Sequence, residues 1–167
     1  GPDGSWDHRL SGAISPATMI KKDGHYFLYY IAGSGTRSDD GGPEKRALGV
    51  AISEDGTDFT KSDENPVIEH IPHNNEEEGV FSAAATVNEK GKVVLYYSAI
   101  EARLPPYETI NDVVANIDMV TSSDGIHFSE PEKVVSSDDD RVWGHGDEIS
   151  PLGVVQRDDG KYILYYT

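Results

Sequence analysis

Acidic side chains stand beside aromatic and imidazole groups at two places in this 167-residue chain. The stretch "SWDHR" sets Trp6 directly before Asp7 and His8 directly after it, and "WGHGDEISP" sets Trp143 and His145 just ahead of Asp147 and Glu148. A third acid, Glu78, closes the run Glu76–Glu78 in "EEEGVF". Positioned carboxyl groups can hold and deliver protons. Tryptophan faces stack on the apolar faces of sugar rings and raise a neighbouring carboxyl pKa by desolvation, or they simply pack a sheet junction. His8 and His145 would orient hydroxyls or ligate an ion in the same surroundings. Against this stands the plainer reading of Asp7 and the Glu76–Glu78 run as solvated loop charges.

Other chemistries lack their residues. The chain has no cysteine, so disulfide frameworks and thiolate metal sites are excluded. No His-x-x-x-His pair occurs, and the acidic stretch "SSDDDR" (Ser136–Arg141) lacks the glycine and spaced acids of a calcium loop. Ser15, Ser82 and Ser150 have no elbow motif or histidine spacing around them, so they read as hydrogen-bonding residues rather than nucleophiles. The glycine-rich "GSGTRSDDGG" (Gly33–Gly42) lacks the Lys-Ser/Thr ending of a phosphate loop and reads as a loop over one face. A formal net charge of −16 would repel phosphate backbones and anionic lipid, which speaks against nucleic-acid and membrane-surface roles and leaves neutral partners such as carbohydrates. No apolar run approaches the ~20 residues of a membrane-spanning helix. The opening Gly1-Pro2 reads as a protease-cleavage scar, so export to the extracellular space or the periplasm stays open.

The elements that would position these groups repeat. "HYFLYYI" (His25–Ile31), "KVVLYYS" (Lys92–Ser98) and "KYILYYT" (Lys161–Thr167) place Leu28, Leu95 and Leu164 at intervals of 67 and 69 residues (95 − 28 and 164 − 95). Each is preceded by a matching stretch, "ISPATMI" from Ile14, "FSAAATV" from Phe81 and "ISPLGVV" from Ile149. The joins end in Gly24, Gly91 and Gly160, the residue a hairpin turn needs at positive φ. Further on, "VAISEDGTDF" (Val50–Phe59) matches "MVTSSDGIHF" (Met119–Phe128), a third strand ending in an Asp-Gly turn with Phe59 or Phe128 opening a fourth. Short strands follow at Pro66–Ile68 and Lys133–Val135, and longer loops are expected at Gly33–Arg46 and Glu101–Asn116.

Four antiparallel strands in about 68 residues make a propeller blade. The chain therefore reads as all-β, a single partial propeller domain over 1–167, with about two and a half four-stranded blades. Blade one covers about 11–70, blade two about 78–136, and the first two strands of blade three about 147–167. A β-sandwich is the rival architecture, since short strands and turns also build one. Only Pro105–Ile117 leaves room for a short helical turn.

The pattern "P-x-x-x-I-x-K-D-G-x-Y-x-L-Y-Y" (Pro16–Tyr30) followed by "A-x-S-x-D-G-x-x-F" (Ala51–Phe59) resembles the five-bladed glycoside hydrolases of the arabinanase, levansucrase and invertase superfamily, including families 43 and 32. The resemblance extends over nearly the whole chain and implies a five-bladed ring. It also implies glycosidic bond hydrolysis by three carboxylates that converge from the starts of innermost strands, one protonating the leaving oxygen and one attacking or activating water. The family often places Asp directly before the Pro of the innermost strand; here those positions hold Ser15, Ser82 and Ser150, and Ala83 replaces the Pro of blade two. Carboxylates must then come from slightly upstream. The resemblance implies Glu148 as general acid, Asp7 as base or nucleophile and Glu78 as modulator, with Trp6, His8, Trp143, His145 and Asp147 contacting substrate.

Two functions follow as expectations. One is a glycoside hydrolase acting on an oligo- or polysaccharide through paired carboxylates in a central funnel. The other is a carbohydrate-binding or scaffold propeller without the family acids, which the three serines favour. No cofactor is expected, and no motif supports a structural cation in the axial channel. The unpaired edge of the third repeat's second strand calls for a homo-oligomer or the remainder of a longer propeller.

Overall fold

A computed structural model describes residues 6–7, 14–34, 45–69, 78–102, 113–137 and 149–167. Every regular element among them is a strand: β1 (Ser15–Lys22), β2 (His25–Ser34), β3 (Lys45–Ser53), β4 (Thr60–Lys61), β5 (Ile68–Glu69), β6 (Glu78–Val87), β7 (Val93–Ala102), β8 (Val113–Ser122), β9 (Glu132–Ser136), β10 (Pro151–Gln156) and β11 (Tyr162–Tyr166). The first sheet runs β1-β2-β3, with β4 and β5 both pairing β3 and sharing the outer position. The second runs β6-β7-β8-β9, and β10-β11 form a hairpin. A two-rung parallel bridge, Lys45 to Glu78 and Arg46 to Gly79, joins the first two sheets.

The turns form where the sequence places glycine. Asp23 and Gly24 sit at φ 49° and 86°, the two positive values of a tight hairpin whose twist matches its strands. Gly91 and Gly160 take φ 73° and 79° in the equivalent joins. The Asp-Gly turns after β3 and β8 are stapled alike. Asp55 Oδ1 accepts from the backbone N–H of Thr57 and Asp58 at 2.8 and 2.9 Å, as Asp124 Oδ1 does from Ile126 and His127 at 2.9 Å each. The hydroxyls of Ser53 and Ser122 donate to the same carboxylates. These donors hold both acids below the usual carboxylate range, Asp55 chiefly through the Asp58 N–H and Asp124 chiefly through the His127 side chain.

Strand alternation then decides the packing. Ile20, Phe27, Tyr29, Ile31, Leu48 and Val50 of the first sheet meet Val80, Leu95, Tyr97 and Val120 of the second in one core. The other face of the second sheet, through Val94, Tyr96 and Ile117, meets Val154, Tyr162 and Leu164 of the hairpin. The Tyr29 hydroxyl crosses the first junction to donate to the Gly125 carbonyl at 2.9 Å. Innermost strands lie side by side, β1 beside β6 and β6 beside β10. The Ala85 N–H donates to Thr18 Oγ1 at 3.3 Å, so equivalent positions of successive repeats touch. Rotation about an axis next to β1, β6 and β10 produces this arrangement; two aligned sheets of a sandwich do not bring their repeats into such correspondence.

Three expectations are corrected. Val113–Ile117 is not helical but opens β8, because Ala115 and Ile117 alternate with Asn116 at a period of two and complete the β7 ladder; the rest of the expected helical turn lies outside the described residues. β2 extends to Ser34 and β8 starts at Val113, so strand structure intrudes on both expected loops. Phe59 and Phe128 do not begin strands: β4 starts one residue after Phe59, and Phe128 packs edge-on against Tyr29 with ring centroids 6.0 Å apart.

Candidate functional site

The starts of β1, β6 and β10 are the ends of neighbouring inner strands. Each carries a register irregularity near its start, between Pro16 and Thr18 in β1, Val80 and Ala83 in β6, and Pro151 and Gly153 in β10. Proline has no N–H to give a ladder, and the blade with Ala83 in its place has its irregularity farther upstream. There Ser82 is tied down by Ser98: its N–H donates to Ser98 Oγ at 3.0 Å, and the two hydroxyl oxygens are 3.2 Å apart. Ser150 exchanges two backbone hydrogen bonds with Thr167, at 2.9 and 3.1 Å. The serines at these strand starts therefore serve in local hydrogen bonding or stand exposed, as Ser15 does. Glu78 opens β6 on the rung with Lys45; its side chain lies outside what is described. Close by, the Arg46 guanidinium covers the Phe81 ring at 4.2 Å, a cation held on an aromatic face.

Trp6 and Asp7 lie on the face of the first sheet that points away from the second. Trp6 stacks on Tyr30 with centroids 5.8 Å apart and planes 29° from parallel. Tyr30 sits opposite Gly49 in the ladder, and a Cβ on Gly49 would come within 2.6 Å of the Tyr30 ring and 2.7 Å of Trp6. Glycine at 49 thus opens the space both rings fill. Asp7 is 4% exposed and bonded to the Lys61 ammonium of β4, which also lies 5.4 Å from the Tyr30 ring centre. Burial, with the Asp7 charge added, pushes the Tyr30 phenol up to about 12, and Asn65 Nδ2 donates to its hydroxyl at 3.2 Å. The Asn65 amide meanwhile brackets Val50, accepting from its N–H at 2.7 Å and donating to its carbonyl at 2.9 Å.

A second buried polar group faces the junction of the two sheets. Along "VVANIDMVTS" (Val113–Ser122), Asn116 and Asp118 share the β8 face that Tyr97 and Ala99 present on β7. Tyr97 is 3% exposed and hydrogen-bonds to Asp118; desolvation, the Asp118 charge and that hydrogen bond all raise its pKa. Asn116 is 1% exposed, and its Oδ1 accepts no hydrogen bond among the described residues. Neither residue was singled out from sequence, although two polar residues spaced by two in an otherwise apolar strand are the signal that marks them.

Of the expected site residues, Trp6 and Asp7 are placed as above, and Glu78 in its backbone alone. His8, Trp143, His145, Asp147 and Glu148 lie outside the described residues. Among the described residues no group of three His, Asp or Glu side chains could hold a metal ion. A cavity of about 520 Å³ lies at the opposite end of the strands, lined by His25, Ser53, Glu54, Asp55, Asp58 and Thr60. Asp55 there is committed to its own turn.

No protein-family model matches the chain. No curated protein matches it either. Among solved structures it is similar to the Bombyx mori GH32 β-fructofuranosidase, in a mutant complexed with sucrose, at 17% identity and TM-score 0.60 over 89% of this chain and 28% of that one. A second structure of that enzyme gives 15% identity and TM-score 0.59, covering 92% of this chain and 33% of the other. A Dyadobacter fermentans protein of unknown function gives 15% identity and TM-score 0.61, covering 89% and 45%. The chain spans less than half the length of each of these proteins. At such identities the likeness is one of fold: this is an all-β propeller chain of the architecture found in GH32 glycoside hydrolases.

Proposed function

We propose that the chain is the propeller portion of a glycoside hydrolase acting on an oligo- or polysaccharide. One observation carries the reading: the inner strands β1, β6 and β10 lie side by side, so that groups about 68 residues apart in sequence can meet at their starts, where Glu78 opens β6. Such convergence is what a pair of carboxylates flanking a glycosidic bond requires, with separations of roughly 5–10 Å. The fold shared with a β-fructofuranosidase, and the sucrose bound to a mutant of that enzyme, support a carbohydrate as ligand. Glu148 enters as general acid, three residues before Pro151 of β10; Asp7 as base or nucleophile; Glu78 as modulator of the acid's pKa. Trp6, Trp143, His8, His145 and Asp147 would contact the sugar. Asp7 is bonded to the Lys61 ammonium, which fixes where its carboxylate stands on the sheet.

The same ion pair favours a second reading, a carbohydrate-binding or scaffold propeller, because a carboxylate committed to an ammonium on an outer strand is serving the sheet. The serines at 15, 82 and 150 point the same way. A panel of aryl glycosides and glycans, assayed with the parent and with Glu148→Gln, Glu78→Gln and Asp7→Asn, separates the two. Hydrolysis lost in Glu148→Gln with folding intact supports the enzyme. Saturable glycan binding without turnover in the parent supports the binding module.

A further inference from the structure

We propose that the junction between the first two sheets holds an internal water that bridges the Asn116 amide oxygen to the Asp118 carboxylate. Asn116 Oδ1 is buried and accepts no hydrogen bond among the described residues, and Asp118, two residues further along β8, is 8% exposed. A buried acceptor left without a donor costs about as much as a lost hydrogen bond, so protein interiors supply one. The described neighbours on this face do not. Ala99 stands across the ladder from Asn116, and Ala99 and Tyr97 pack with Ile31, Leu48 and Val50 of the first sheet, whose side chains carry no polar atom. The two hydroxyls at this junction are committed elsewhere, Tyr97 to Asp118 and Tyr29 to the Gly125 carbonyl.

The two oxygens call for one small group with two hydrogens to give. An amide oxygen and a carboxylate both accept, so they do not satisfy each other. A carboxylate takes several donors at once, so the Tyr97 hydroxyl and a water can share Asp118. Residues two apart on a strand point to one side with Cα atoms about 6.5 Å apart, a spacing that a water about 2.8 Å from each oxygen bridges. Alanine at 99 keeps the rung beside Asn116 small, where such a molecule needs its room. The blade itself does not require these polar groups: the equivalent rungs of the first repeat hold Ala47 opposite Ala32 and Gly49 opposite Tyr30. The second repeat thus carries a pair of acceptors, on the face that meets another sheet, where the first carries none. The inference rests on the fold alone and holds whether or not the chain hydrolyses glycosides.

A high-resolution crystal structure of the full chain, grown in a sodium salt and again with rubidium in its place, tests this. The expected result is a single density peak within hydrogen-bond distance of Asn116 Oδ1 and the Asp118 carboxylate in both crystals, with no anomalous signal in the second. A rubidium signal there would make the guest a cation and overturn the proposal. So would a junction with no such peak, a side chain of the protein donating to Oδ1, or an amide turned so that its nitrogen donates directly to Asp118. In solution, magnetic relaxation dispersion of isotopically enriched water should count about one long-lived water fewer in Asn116→Leu than in the parent, and equal counts sink the idea. Circular dichroism checks that the variant folds, and Asn116→Val, a better strand former, replaces it should leucine not fit.

Discussion

Tyr30 and Tyr97 occupy the same rung of the first and second sheets, and the chain finishes that rung in two different ways. Opposite Tyr30 stands Gly49, and the space left by the missing side chain is filled by Trp6 stacked on the phenol, with Asp7 and Lys61 paired alongside. Opposite Tyr97 stands Asp118, whose carboxylate takes the phenol's hydrogen bond within the junction between sheets. Both rings are 3% exposed. The first sheet is closed on that side by a strap from outside the repeat, the second by a neighbouring sheet. Where two repeats face different neighbours, the residue across from a shared tyrosine is the one that diverges.

The sharpest way to break this contrast is to transplant one solution into the other. Gly49→Asp puts the second sheet's residue into a rung already occupied by two rings, so an overpacked, buried charge should cost about 3 kcal/mol in urea unfolding, with an unchanged m-value. A neutral result would mean that Trp6 is not packed as described. Asp118→Ala removes the acceptor from a buried phenol and should cost about 2 kcal/mol. Pairing it with Tyr97→Phe in a double-mutant cycle should recover part of that loss, whereas strict additivity would deny the hydrogen bond. Lys61→Met leaves the buried Asp7 carboxylate without its ammonium; because Lys61 is itself 46% exposed, the expected loss is only about 1 kcal/mol, partly relieved by adding Asp7→Asn.

The smallest effect comes from the turns. Asp58 in the first repeat is replaced in the second by His127, whose Nδ1 lies 2.8 Å from Asp124 Oδ2. The Asp124 hydrogen bond, then the Asp124 charge, raise the His127 pKa above its ordinary value, with Glu64 adding to the field and slight desolvation opposing. The folded state therefore binds the proton more tightly than the unfolded chain. This contribution is complete below the ordinary histidine pKa and is lost as pH rises through the raised value. His127→Asp, which copies the first repeat, should flatten that slope in thermal melts across neutral pH; an unchanged slope would assign it to another group.

Much of the fold is written locally. The Leu-Tyr-Tyr repeats, the glycines after Asp23, Lys90 and Asp159, and the Ser-x-Asp-Gly turns each fix short-range geometry, so strands, joins and the blade unit could be read directly. The fourth strands were legible in part: Lys133–Val135 lies within β9, whereas in the first repeat β4 and β5 together use four residues and depend on β3 for partners. The candidate site was legible only as residue types. Trp6 beside Asp7 looks identical whether it faces a sugar or a sheet, and only its position against Tyr30 and Lys61 shows what it touches. Asn116 and Asp118 were readable as a break in apolar alternation, but not as neighbours of Tyr97.

The sequence by itself determined where strands start, turn and repeat, because φ preference, side-chain alternation and backbone pairing act over a few residues. It did not determine what covers each tyrosine. Tyr30 and Tyr97 share one motif and are each 3% exposed, yet Trp6 stacks on the first and Asp118 hydrogen-bonds to the second. Burial belongs to whatever lies across the next gap, and only the packing of whole sheets decides that.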